Sequence, residues 1–191
     1  MTDTPDETAP DTAGGRLPGD LTKDQLIDRI IRVDHAGEFG ARRIYEGQLA
    51  VLRGKPEGPV IEHMYAQELE HLKTFEKLMV ERRVRPSALH PLWNVAGFAL
   101  GAATALMGPK AAMACTVAVE EVIDEHYRQQ SQLLGQDEAP LKAKIDKFRA
   151  EELQHRDAGL EHGAEQAPAY PLLTGAIKAG SRLAIWLAER V

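Results

Sequence analysis

Between residues 23 and 52 the apolar positions Ile27, Ile30, Ile31, Ile44 and Leu49 follow the period of one helical face. Thr22 followed by Gln25 is a capping-box signal, so a first helix is predicted over about 23–52. Residues 54–59, G-K-P-E-G-P, read as a turn. A second helix follows to about residue 83 and carries Glu68, His71, Leu72, Phe75 and Leu78, with Pro86 and Pro91 marking its break. Gly108-Pro109 opens a helix over 110–134. Residues 135–140 close it, and the next helix runs to about 163. Pro168 and Pro171 start a last helix to the C-terminus. Gly37 and Gly40 interrupt the first helix at a cost in helix stability. They mark places where something is expected to pack closely on the backbone beside Glu38.

Two segments exceed a four-helix count. Residues 92–107, L-W-N-V-A-G-F-A-L-G-A-A-T-A-L-M, carry no charge and fall short of the ~20 apolar residues that span a bilayer. Residues 172–189 set Leu172, Leu173, Ile177, Leu183, Ile185, Trp186 and Leu187 against Lys178, Arg182 and the adjoining Arg190, the pattern of an interfacial helix. Either segment alone is as readily an ordinary core-covering helix. The lack of charge in the first favours a membrane-facing or lipid-binding surface.

The 191 residues suffice for one domain with a real core. Residues 1–20 are rich in Thr, Asp, Pro and Gly and read as a disordered acidic tail, leaving 21–191 as the domain. Plentiful Ala and Leu with 5% aromatics suit helices better than sheets, so the fold class is all-α. A net charge of −6, with no basic stripe interleaved with aromatics, argues against nucleic-acid binding. The single cysteine, Cys115, allows neither an intrachain disulfide nor a thiolate metal site, which points to a reducing compartment. The tail resembles neither a secretory signal nor an Arg-rich transit peptide.

Chemistry enters through a repeat. Glu68-Leu-Glu-His71 and Glu152-Leu-Gln-His155 are the two Glu-x-x-His motifs in the chain. Residues three apart share a helix face, so each motif can present a carboxylate and an imidazole to one ion. One such pair is expected by accident in a chain with seven histidines. The spacing of what precedes them is less easily accidental. Glu38 lies 30 residues before Glu68, and Glu120 lies 32 before Glu152. Each upstream Glu is followed by a tyrosine close to two turns later, Tyr45 and Tyr127. A Glu from each of two helices plus Glu-x-x-His from two others is the established pattern of ferritin-like di-iron and di-manganese bundles.

Four carboxylates and two imidazoles with no thiolate suit iron or manganese. Four buried carboxylates survive only if paired or metal-bound, and two divalent cations would balance them. Glu68 and Glu152 are the natural bridging ligands, Glu38 and Glu120 the terminal ones. A metal-bound histidine needs its second N–H held by an acceptor. Asp34, one turn before Glu38, and Asp124, one turn after Glu120, are expected in that role. Tyr45 and Tyr127 are placed to hydrogen-bond within the site or gate it. Taken singly, a Glu on a helix is a solvated side chain about nine times in ten, and a lone His is more often satisfied than ligating. Glu70, Glu121 and Glu151 lie off the ligand face and read as solvated or as outer neighbours of the site. His35, His63, His90 and His162 carry no assignment. His126, beside Tyr127, remains a site neighbour.

The wording of the motifs adds to their spacing. I-I-R-V-D-H-A-G-E-F-G-A-R-R-I-Y (30–45), R-V-R-P-S-A-L-H-P-L-W-N-V-A-G-F-A-L-G (83–101), A-M-A-C-T-V-A-V-E-E (112–121), F-R-A-E-E-L-Q-H-R-D (148–157) and A-P-A-Y-P (167–171) resemble the demethoxyubiquinone hydroxylase family of ubiquinone biosynthesis. The resemblance runs from about residue 21 to the C-terminus. It implies a ferritin-like four-helix bundle with two additional membrane-associated helices. It also implies a di-iron monooxygenase that hydroxylates the ring of polyprenylated demethoxyubiquinol with O₂. Two iron ions per chain would fall on Glu38, Glu68, His71, Glu120, Glu152 and His155. The family binds peripherally to its membrane, here the cytoplasmic side of a plasma membrane, since the acidic tail replaces a mitochondrial leader and suits a bacterial member. The implied partners are the quinol, O₂, an electron donor and membrane lipids, with a homo-oligomer or a biosynthetic complex both compatible. No flavin or Rossmann-type nicotinamide fingerprint is present; G-G-R-L-P-G in the tail has the wrong spacing. Electrons would come from an outside donor, loosely bound NADH or the quinol itself. The lipid tail is expected along an apolar groove between residues 92–107 and the last helix. Alternatives on the same residues are an iron-storage ferroxidase, a manganese catalase and a metal-free helical adaptor at a membrane surface.

Overall fold

A computed structural model describes residues 19–191; the tail expected to be disordered lies, apart from its last two residues, outside the described residues. Among the described residues there are six α-helices, two 3₁₀ turns and no strand. The helices are α1 (Lys23–Leu52), α2 (Gly58–Arg82), α3 (His90–Leu106), α4 (Pro109–Leu133), α5 (Ala139–Glu161) and α6 (Tyr170–Ala188). Thr22 caps α1 as the sequence predicts. Its hydroxyl accepts from Gln25 N at 3.1 Å, and the Gln25 side chain accepts from Thr22 N at 2.9 Å. Each later α-helix carries a proline in its first turn, where a missing N–H costs nothing. Pro91 accordingly lies inside the first turn of α3 instead of before it. The fork of Arg82 holds Glu138 through two hydrogen bonds, 3.0 and 2.8 Å, and ties the end of α2 to the approach to α5.

Helices α1, α2, α4 and α5 form an all-α, ferritin-like bundle. Helix α3 packs along α1, and α6 packs along α4 and α1. From Ala111 to Glu120 every residue of α4 is buried, because neighbours cover it on all sides. The core has two large apolar clusters. One gathers Tyr45, Leu49, Leu52, Ile61, Met64 and Val117. The other gathers Ile30, Ile31, Phe75, Tyr127, Ile145 and Phe148.

The close backbone approach expected at Gly37 and Gly40 is met at Gly40, whose carbonyl oxygen would lie 2.9 Å from a Cβ on Gly97 of α3, but not at Gly37. A Cβ on Gly101 would collide with the Ile44 carbonyl, and one on Gly47 with that of Phe98. These glycines let α3 lie backbone to backbone on α1. A Cβ on Gly37 or Gly40 itself would meet nothing within 4 Å. Both also line a cavity of about 210 Å³ bounded by α1, α3, α4 and α6. The outer faces of α3 and α6 leave Leu92, Val95, Leu106, Leu172, Leu183 and Trp186 exposed. No helix of the described residues is long and apolar enough to cross a membrane.

Candidate metal centre

The six side chains singled out by spacing meet in the bundle core. Glu38 comes from α1, Glu68 and His71 from α2, Glu120 from α4, and Glu152 and His155 from α5. Each is at most 3% exposed. Two sets of ligand atoms can each surround one ion, every atom within 4.8 Å of the others. The first set is Glu38, Glu68, His71 and Glu152; the second is Glu68, Glu120, Glu152 and His155. Glu68 and Glu152 belong to both, the arrangement required of bridging carboxylates. Nδ1 of His71 lies 3.0 Å from one oxygen of Glu152, and Nδ1 of His155 lies 3.0 Å from the other.

The donor atoms test whether cations fit. Both oxygens of Glu68 and Glu152, one oxygen each of Glu38 and Glu120, and Nδ1 of both histidines make no hydrogen bond although fully buried. Eight orphaned donor atoms in one core are costly unless something positive binds them. The outward nitrogens are satisfied. Nε2 of His71 lies 2.8 Å from Glu151, and Nε2 of His155 lies 3.1 Å from Gln67. A proton held on Nε2 leaves Nδ1 as a free lone pair aimed at the carboxylates. The set therefore fits two divalent cations with oxygen and imidazole preference. Cys115 is buried in a separate apolar cluster and is not among the donors.

Burial and crowding shift the titration of the core groups. Burial pushes the Glu68 and Glu120 carboxyls well above their usual range, and the Glu152 charge adds to it. Burial raises Glu38 as well. Burial would also raise Glu152, but the His155 and His71 imidazoles beside it prevail and hold it at about 2. Burial would lower His71, yet the Glu152 and Glu38 carboxylates drive it up to about 12. His155 is raised in the same way. Each of these shifts favours a positive charge, proton or cation, among the carboxylates.

The tyrosines bond across the bundle. Tyr127 of α4 donates to Glu38 of α1, and Tyr45 of α1 donates to Glu120 of α4. The expectation for Asp34 and Asp124 is corrected. Asp34 accepts from Gln130 at 2.7 Å and lies 3.4 Å from His126; Asp124 accepts from Arg149 at 2.7 Å. Neither reaches a ligand histidine, because each histidine points past its own partner helix toward the opposite Glu-x-x-His helix. The acceptors are the residues just before each motif, Glu151 and Gln67. Gln67 was missed by sequence reasoning; its signal was its position before Glu68, matching that of Glu151 before Glu152. His126 neighbours the site through Asp34, not through a ligand. Glu121 is paired with Lys178, and Glu70 is exposed.

The apolar cavity approaches this centre from outside. Its lining includes Gly37 and Val119, the residues preceding Glu38 and Glu120. Its outer wall is formed by Trp93, Gly97 and Leu100 of α3 and Gly180, Ala184 and Ile185 of α6.

Comparison with known proteins follows the same lines. Residues 25–188 match the model of the family described as ubiquinone biosynthesis protein COQ7. A 3-demethoxyubiquinol 3-hydroxylase of Rhodospirillum rubrum is 64% identical over 181 residues, covering 94% of this chain and 85% of that protein. A human protein named NADPH-dependent 3-demethoxyubiquinone 3-hydroxylase, mitochondrial, is 59% identical over 169 residues, 86% of this chain and 78% of its own. The 5-demethoxyubiquinone hydroxylase of Saccharomyces cerevisiae is 44% identical over 183 residues, 87% of this chain and 78% of its own.

Proposed function

The chain belongs to the family of the ubiquinone biosynthesis protein COQ7, and from that premise we propose that it hydroxylates the ring of a polyprenylated demethoxyubiquinol at a di-iron centre. It is an oxidoreductase of the hydroxylase type, as its relatives are named. The observation that carries the reading is the adjacency of cavity and centre. One apolar cavity is floored by residues next in sequence to both terminal carboxylates. A greasy substrate can lie there with its ring against the wall that separates it from the ligands.

In this reading Glu38, Glu68, His71, Glu120, Glu152 and His155 would hold the two irons, with Glu68 and Glu152 common to both sets of donors. Bound iron supplies the redox chemistry that activates O₂. The reaction takes O₂, two electrons and two protons; one oxygen enters the ring and the other leaves as water. Glu151 and Gln67 fix the histidine tautomers so that Nδ1 faces the metals. Tyr45 and Tyr127 orient the terminal carboxylates. Small residues on the cavity floor bring a flat ring near the centre, and the two apolar clusters keep bulk water out. The electrons come from a donor outside the chain; reduced nicotinamide is the one named for the human relative. The exposed apolar residues of α3 and α6, flanked by Arg182 and Arg190, support peripheral binding to the cytoplasmic face of a plasma membrane. A lipid tail would then pass from the bilayer into the cavity between α3 and α6.

A bacterial strain lacking the protein should accumulate demethoxyubiquinone, read by chromatography. Wild-type chain should clear it, and Glu152→Ala should not. Clearance by a metal-free Glu152→Ala protein at the wild-type rate would defeat the proposal.

A further inference from the structure

The centre is nearly two-fold symmetric, and the departures from symmetry are informative. Asp34, Glu38, Tyr45 and Gln48 of α1 correspond to Thr116, Glu120, Tyr127 and Gln130 of α4, all offset by 82 residues. Gln67, Glu68 and His71 of α2 correspond to Glu151, Glu152 and His155 of α5, offset by 84. The bonds repeat with the residues. Tyr45 donates to Glu120 as Tyr127 donates to Glu38. Gln48 reaches Thr116 at 3.4 Å as Gln130 reaches Asp34 at 2.7 Å. His71 meets Glu151 as His155 meets Gln67.

Within these corresponding sets chemistry differs at two places. The histidine acceptor is a carboxylate at His71 and a neutral amide at His155. The residue one turn before the terminal Glu is Asp34 on one side and Thr116 on the other. Both acidic members fall on the position bounded by Glu38 and His71. Asp34 touches neither ligand histidine; it accepts from Gln130 and lies beside His126. Glu151 is the stronger difference. It sits 2.8 Å from Nε2 of His71, and the lysine beside it, Lys147 at 3.4 Å, has a side chain 63% exposed and therefore well screened.

Resting on the di-iron reading above, we infer that the two metal positions are unequal, and that the Glu38–His71 position binds its ion first and releases it last. A carboxylate acceptor makes an imidazole a stronger donor than an amide acceptor does, and such outer contacts alter metal affinity by about 10- to 100-fold. The Glu120–His155 position, with Gln67 behind its histidine, holds the weaker and more exchangeable ion. Glu151 is thus a positioning residue that sets the order of loading. Gln67 shows that an amide can hold a histidine in place, so Glu151→Gln removes charge without removing the contact.

The test is an anaerobic titration of the metal-free full-length chain with Co(II), followed by calorimetry and visible absorption. Circular dichroism checks that each variant is folded. Wild type should bind two equivalents in steps at least about tenfold apart. Crystals grown with one equivalent should show cobalt anomalous density between Glu38 and His71. Glu151→Gln should weaken the first step by about tenfold and merge the two. Gln67→Glu should strengthen only the second. Two equal steps, density first at Glu120 and His155, or Glu151→Gln leaving the first step unchanged would each overturn the inference while sparing the metal centre. Failure to bind any Co(II) or Fe(II) would overturn the centre and this inference with it.

Discussion

The Tyr45 hydroxyl lies 2.7 Å from a carboxylate oxygen of Glu120 on another helix, 75 residues away in sequence. Both groups are buried, so the bond fixes the carboxylate where water cannot. A hydrogen bond to a charged group is worth about 1.5–3 kcal/mol. Tyr45→Phe should keep its apolar contacts and lose that bond. We expect Co(II) affinity to fall about tenfold, with the metal-loaded protein melting a few degrees lower. Calorimetric melting with and without metal measures both.

Glycine substitutions should separate packing from substrate access. Gly101→Ala forces a methyl against the Ile44 carbonyl, so α3 must move off α1. Overpacking of this kind costs about 1–3 kcal/mol, read in urea denaturation. Gly37→Ala has the opposite sign. Its methyl enters open space, and Ala gains about 1 kcal/mol over Gly in a helix. That variant should be as stable as wild type or more so, yet turn over demethoxyubiquinol with a raised KM, because the cavity is smaller.

Metal binding should release protons. Burial raises Glu68, Glu120 and Glu38, and, against burial, the neighbouring carboxylates raise His71 and His155, so all five groups bind protons more tightly without cations than with them. Cations displace those protons, so affinity must climb as pH rises and fall in acid. Titrations in buffers of different ionisation enthalpy should give a positive proton release on binding. A pH-independent affinity between 6 and 8 (about a hundredfold range in proton activity) would contradict that competition.

Trp186 and Leu183 of α6 are half exposed beside Arg182 and Arg190. Replacing both with Ser should weaken binding to anionic vesicles by about a hundredfold, read by sedimentation, since each buried apolar side chain adds about 1.5–3 kcal/mol. Iron content should not change, because neither residue touches the centre.

Much of this was legible in the residues. The helix starts follow from Thr22 and from the prolines, and the ends agree within one or two residues except in α6, which stops at Ala188 short of the C-terminus. The six donors were legible because helical period converts spacing into facing, and because the pattern occurs twice. Partners across the bundle were not. His71 and Glu151 are 80 residues apart, and His155 and Gln67 are 88 apart. Neighbours one turn away, Asp34 and Asp124, looked closer on paper but turn toward α4 and α5 residues instead. The role of Gly37 was likewise hidden, since a sequence cannot distinguish a glycine whose backbone is closely approached, as at Gly40, from one that only leaves room for a guest. Nor does periodicity say which apolar face is left uncovered; that depends on how α3 and α6 lie on α1 and α4.

The twofold repetition of the ligand helices has a consequence for biogenesis. Each half brings one terminal carboxylate, one shared carboxylate and one imidazole, and each four-residue set takes its fourth member from the other half. A nascent chain that has made only α1 and α2 holds three of the six donors and neither complete set. Both sets are therefore completed only after Glu152 and His155 have emerged and α5 has closed against α2, late in synthesis. Partial products and truncated fragments carry neither finished cage.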